Sequence, residues 1–186
     1  LQWVVNAYTL PLGALLMSAA TLSGSLGRLR LFRWGLVLFT VGSAVCALAP
    51  SMLVLNAFRA LQAVGGAIFL GVGVPMISDR YAAGRERARA TGIYGLISGV
   101  AIAVGPLAGG GLVLVAGWRS IFWINVPVGV ASWLASWYVK DRSADRNNSG
   151  VDWLGTLLAI LAVGAVTVVL LEGSAWGWTS ARTLGG

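Results

Sequence analysis

The chain has 186 residues, 58% of them hydrophobic and only 10% charged. Its mean hydropathy is +0.83. A soluble domain carries about 25% charged residues, so these charges are too few to coat a water-facing surface, and lipid is the solvent that suits the composition. With no histidine and one cysteine, Cys46, an intrachain disulfide and metal sites built on His or Cys clusters are excluded.

Crossing about 30 Å of hydrocarbon takes roughly 20 apolar residues in a helix. Six runs qualify, at 3–22, 34–49, 52–78, 90–116, 121–139 and 153–172, the second being short. None alternates polar and apolar residues as a barrel strand does. The expected fold class is therefore an all-α membrane protein of about six transmembrane helices. Residues 1–139 would form a five-helix bundle, 140–152 a cytoplasmic loop, 153–172 the sixth helix and 173–186 an outer-side tail. The chain opens on Leu1 and ends in "TSARTLGG", and a fragment is expected.

The cations between these runs set the topology. Arg28, Arg30 and Arg33 lie between runs one and two, and "APS" between two and three has none. Arg80, Arg85, Arg87 and Arg89 follow run three, and Arg119 alone follows run four. Lys140, Arg142 and Arg146 follow run five, and Arg182 follows run six. Alternate connections thus hold ten cations against two. Lysine and arginine mark cytoplasmic loops, so the first, third and fifth connections are expected inside, in a multi-pass protein of the inner (plasma) membrane. The same alternation accounts for the net charge of +7 without a basic stripe, which leaves no ground for a nucleic-acid partner. Trp3, Trp118, Trp123, Trp176 and Trp178 fall near the outer face and Trp34, Trp137 and Trp153 near the inner one, an aromatic belt. Trp133 is deeper. Asn125 and Pro127, in the fifth run, require partners inside a bundle, since lipid offers none.

Arg59 is the one cation left inside a run. It lies seven residues past Met52, about 10 Å along a helix, and placing it there costs at least ~2.5 kcal/mol. Such an arginine marks a pathway through the bundle, or else braces helix ends by binding backbone carbonyls. Gln62, three residues on, shares its face. "GGAIFLGVGVP" in the third run and "GPLAGGG" in the fourth supply small residues for close helix approach. Gly105–Pro106 is expected to interrupt the hydrogen-bond ladder and kink the fourth helix. That serves either tight packing or a bend in a conformational cycle. Asp152 suits a helix cap, and Glu172 ends the sixth run. Without histidine, and with its acidic residues in loops or at helix ends, the chain has little from which to build an enzyme site. No cofactor is implied.

These stretches resemble a known family. "LQWVVNAYTL", "LNAFRALQAVGGAI", "GPLAGGGLVLVAGWRSIFWINVPVG" and "VDWLGTLLAILAVGAVTVVLLEGSAWGW" are similar to the major facilitator superfamily, and more narrowly to its fourteen-span drug:proton antiporter branch, from Leu1 to about Ser180. The resemblance implies part of an N-terminal transporter bundle whose first span precedes Leu1. It implies export of a small amphipathic substrate in exchange for protons, with a second transporter half as partner. Arg59 with Gln62 matches the proton-coupling position, and Gly105, Pro106, Gly109 and Gly110 match the antiporter's conformational motif. No substrate-binding residue is identified. The family's first cytoplasmic loop reads roughly Gly-x-Leu-Ala-Asp-Arg-x-Gly-Arg. Here "SGSLGRLRLFRWG" passes from Leu26 directly to Gly27–Arg28, without about four residues that include the Asp of a charge latch. The alternative expectation is a truncated, transport-incompetent membrane protein or a non-catalytic assembly subunit.

Overall fold

The computed structural model describes residues 2–139 and the isolated positions 157, 158, 161, 162 and 165. Apart from those positions, the expected sixth helix lies outside the described residues. So do the 140–152 loop, the 173–186 tail, Asp152, Glu172, and the expected placements of Trp153, Trp176, Trp178, Lys140, Arg142, Arg146 and Arg182. Every element among the described residues is helical: α1 Gln2–Leu26, α2 Arg28–Leu48, α3 Met52–Arg80, α4 Arg85–Ala116, α5 Ser120–Trp123 and α6 Asn125–Ser136. The all-α class is what the composition requires. The α2, α3 and α4 helices are each long and apolar enough to cross a membrane.

The boundaries differ from expectation at three places, each for a physical reason. Arg28, Arg30 and Arg33 do not lie in a loop; they stand on the first two turns of α2, because Gly27 alone joins α1 to α2. Its φ of 86° lies in the left-handed region, where glycine carries no Cβ penalty. The fifth run is split between α5 and α6. Pro127 has no N–H to offer Trp123 four residues back, and its ring crowds that carbonyl, so the ladder lapses at Ile124. Gly105–Pro106, by contrast, does not end α4, which continues as one element from Arg85 to Ala116.

Packing centres on α3, which lies against α1 on one side and α2 on the other, while α5 and α6 pack on α2. Small residues let α2 and α3 approach closely. A Cβ on Gly35 would lie 2.8 Å from the Ile68 side chain and 3.0 Å from the Gly65 carbonyl, and one on Gly42 would lie 3.0 Å from Gln62. Phe69 of α3 meets Phe39 and Phe32 of α2 edge-on, with centroids 5.3 and 6.5 Å apart. Gly105, Gly109 and Gly110, expected to bring helices together, have nothing within 4 Å of where a Cβ would stand. Indeed α4 buries no residue among those described, and Leu107 and Leu114 are 78% and 89% exposed. Its apolar surround has to be lipid or other helices.

The arginine contacts fix which helix ends lie together. Arg28 at the start of α2 reaches Pro75 and Asp79 near the end of α3, and Arg33 reaches Ser136 at the end of α6. At the opposite end Arg119 donates to the Ala49 carbonyl between α2 and α3. The helices therefore zigzag, with Arg28, Arg30, Arg33 and Arg80 gathered at one end and Arg119 at the other, the arrangement that charge alternation requires.

Candidate functional site

The largest fully buried side chain in the described bundle is polar: Gln62, 1% exposed on α3. A buried amide is costly unless it is hydrogen-bonded, and its bonds lead to the site. Arg59 Nη1 donates to Gln62 Oε1 at 2.8 Å, and Gln62 Nε2 donates to Ser43 Oγ of α2 at 2.6 Å. Ser43 Oγ passes its own hydrogen to the Phe39 carbonyl at 2.8 Å. Toward α1, Arg59 Nε donates to the Val4 carbonyl at 3.3 Å, and the guanidinium lies over the Tyr8 ring, 4.2 Å from its centroid. The Phe122 ring of α5 is 5.6 Å away. One half-buried cation thus joins α1, α2 and α3, with an aromatic ring on its face. No carboxylate pairs with it among the described residues.

The expected pair, Arg59 with Gln62, is therefore in direct contact. The residues that complete the network, Val4, Tyr8 and Ser43, come from α1 and α2 and left no mark on the local sequence pattern. A further polar group on α3 is Asn56, three residues before Arg59, whose Oδ1 is buried without a hydrogen-bond partner among the described residues. The spacing Asn56, Arg59, Gln62 was a readable signal, because steps of three keep all three on one helix face. Beyond Val4 and Phe122 opens an apolar cavity of about 550 Å³, walled also by Leu55, Met52, Trp118 and Arg119. Gly105, Pro106, Gly109 and Gly110 lie on α4, and the structure does not bring them to Arg59; their surface is open.

A second charged arrangement was missed. Arg28 Nη1 lies 2.6 Å from Asp79 Oδ2 and donates to the Pro75 carbonyl at 2.7 Å. Arg87 of α4 donates to the Ser78 carbonyl at 2.6 Å and the Tyr81 carbonyl at 3.0 Å. Two guanidiniums therefore hold the C-terminal end of α3, where unpaired carbonyls and the helix dipole favour cations. The sequence pattern marks Asp79 only as an acid at a helix end. In place it gives Arg28 a carboxylate partner although the short α1–α2 junction lacks the Asp expected there. Both side chains are largely buried (19% and 14% exposed). A double-mutant cycle of Arg28→Gln and Asp79→Asn, read by thermal unfolding in detergent, should show a coupling of about 1 kcal/mol, above that of most exposed pairs. Strict additivity would mean that the two groups do not stabilise each other.

Comparison with known proteins identifies the family. The Major Facilitator Superfamily model matches residues 1–184. The multidrug resistance protein Stp of Mycobacterium tuberculosis is 41% identical over 185 residues, covering 99% of this chain and 34% of that protein. The drug efflux pump JefA of the same organism is 37% identical over 172 residues, 92% of this chain and 34% of the pump. The methylenomycin A resistance protein of Bacillus subtilis is 34% identical over 178 residues, 96% of this chain and 38% of that protein. The chain spans about a third of the length of these relatives. A family match along nearly the whole chain, on a bundle of long apolar helices, has one meaning: the chain belongs to the Major Facilitator Superfamily.

Proposed function

We propose that this chain supplies part of an inner-membrane exporter that moves amphipathic small molecules outward in exchange for protons, with Arg59 as the fixed charge at its coupling centre. The carrying observation is a guanidinium set between three helices with neutral partners only, among the described residues. A strut between α1 and α3 needs hydrogen bonds, not a charge, and the charge costs at least ~2.5 kcal/mol in an apolar bundle. An arginine keeps its proton under all cellular conditions, so Arg59 does not itself release or take up the transported proton. It acts by its field, lowering the proton affinity of any carboxylate or water brought near. Gln62 and Ser43 orient the guanidinium, and the Tyr8 face holds it from the other side.

Transport of this kind needs a second bundle to rock against the first around a central site. The open flank of α4, with Gly105, Pro106, Gly109 and Gly110, is the surface on which small residues would let another helix slide. The relatives named for drug efflux and multidrug resistance support the substrate class. The test is a chimera carrying residues 1–184 in place of the matching third of Stp, studied in everted vesicles with an imposed pH gradient. Accumulation of a fluorescent amphipathic cation should appear with the gradient and vanish with a proton ionophore. No accumulation, at a membrane level equal to that of an active full-length Stp control, would overturn the proposal.

A further inference from the structure

A groove of about 380 Å³ opens between α2 and α6 at the arginine-rich end of the bundle, walled by Arg30, Arg33, Trp34, Val37, Trp133 and Trp137. Arg33 is built into it: Nε donates to Ser136 Oγ at 3.1 Å, Nη2 donates to the Ser136 carbonyl at 2.9 Å, and the guanidinium lies 4.2 Å from the centre of the Trp137 ring. The Trp133 ring stands edge-on to Trp137 at 5.5 Å, which fixes the indole wall. These bonds use two of the five N–H donors of Arg33. Arg30 is exposed and makes no hydrogen bond or ion pair with the described residues. Among the described residues no carboxylate lines the groove; Asp79, at the same end, is engaged by Arg28.

Of the three cations on the first two turns of α2, Arg28 is paired with Asp79; Arg30 and Arg33 share the groove with the positive end of the helix dipole, an arrangement that favours an anion there. Guanidinium forks match phosphate oxygens in shape as well as charge. Indoles settle at headgroup depth, and Trp34 and Trp137, 59% and 58% exposed, flank the cations there. Val37, one turn further along α2, continues the wall as apolar surface toward the hydrocarbon, which an acyl chain would cover and a free ion would leave bare. Basic pockets between transmembrane helices take anionic headgroups in this way.

We propose that this groove binds the phosphodiester of an anionic phospholipid, with Arg30 and the free donors of Arg33 on the phosphate, Trp34 and Trp137 beside the glycerol, and Val37 under an acyl chain. The site is separate from the Arg59 network and does not depend on proton coupling.

The test uses the full 186-residue chain in mild detergent, with phosphatidylglycerol or phosphatidylcholine added and retained lipid counted by native mass spectrometry. Phosphatidylglycerol should be retained in preference, and Arg30→Gln should lower its retention about fivefold, the effect of one cation near an anionic headgroup. Arg89→Gln removes the same charge from an exposed helical position outside the groove and should leave retention unchanged. Millimolar inorganic phosphate should not displace the lipid. Equal retention of the two lipids, equal losses in the Arg30 and Arg89 variants, or displacement by inorganic phosphate would each overturn the assignment. Arg30 holds nothing else in the described structure, so its variant tests the groove without unfolding the bundle.

Discussion

In the Stp chimera, Arg59→Ala is expected to abolish accumulation driven by the pH gradient while the protein still reaches the membrane. The variant removes the donor from Gln62 Oε1, leaves the Val4 carbonyl without its extra partner and empties the face of Tyr8. Hydrogen bonds to a charged group are worth about 1.5–3 kcal/mol each, roughly ten- to hundredfold in an equilibrium. Loss of fold and loss of coupling need separating, because Gln62 is buried and its unmet acceptor costs stability too. Substrate exchange without a gradient supplies the separation. A coupling role predicts that gradient-free exchange persists while gradient-driven accumulation disappears; a purely structural role predicts that both fall together. Arg59→Lys keeps the charge but loses the fork and the flat stacking surface, and accumulation should be roughly tenfold weaker. Accumulation at the wild-type level in Arg59→Ala would remove this residue from the mechanism.

How much of this was legible in the sequence depends on how far apart the interacting residues lie along the chain. Arg59 and Gln62 were readable as a pair because three residues along a helix bring two side chains together. Ser43, 19 residues from Gln62, and Val4, 55 from Arg59, were not, because their approach is set by how α1 and α2 dock on α3. Apolar runs revealed helices but placed their starts poorly. The cations on α2 read as loop residues, yet a one-glycine junction carries them on a helix whose start has no side-chain cap to announce it. Glycines were the least legible. All look alike in a sequence, and only the rotation of each helix decides which meet a neighbour. Hence Gly35, Gly42, Gly65 and Gly129 make the close approaches, while the more conspicuous "GPLAGGG" stands open.

That contrast predicts opposite signs for one chemical change. Gly65→Ala should destabilise the bundle strongly. The new Cβ would stand 2.7 Å from the Gly35 carbonyl and against the Phe39 amide, both backbone atoms of α2 that no side-chain rotation can clear. Overpacking costs about 1–3 kcal/mol, and with backbone on the opposing side the upper end applies, against a helix-propensity gain of about 1 kcal/mol for Ala over Gly. Prying α2 from α3 would also stretch the Gln62–Ser43 bond, which spans the same interface, so the hydrogen bonds around Arg59 should weaken along with the fold. Gly95→Ala on α4 has nothing within 4 Å and should gain about 0.5–1 kcal/mol, since alanine loses less freedom on entering a helix. Gly129→Ala falls between them. Its Cβ would collide with Thr40 Oγ1, a side-chain atom that donates to the Leu36 carbonyl at 2.7 Å, so relief costs one hydrogen bond, and Thr40→Ala in the same chain should restore most of the loss. Thermal midpoints in detergent should therefore rank Gly65→Ala lowest, then Gly129→Ala, then wild type, then Gly95→Ala. If Gly65→Ala unfolded no earlier than wild type, α2 and α3 would not be packed backbone to backbone, and the position of Gln62 between them would lose its support.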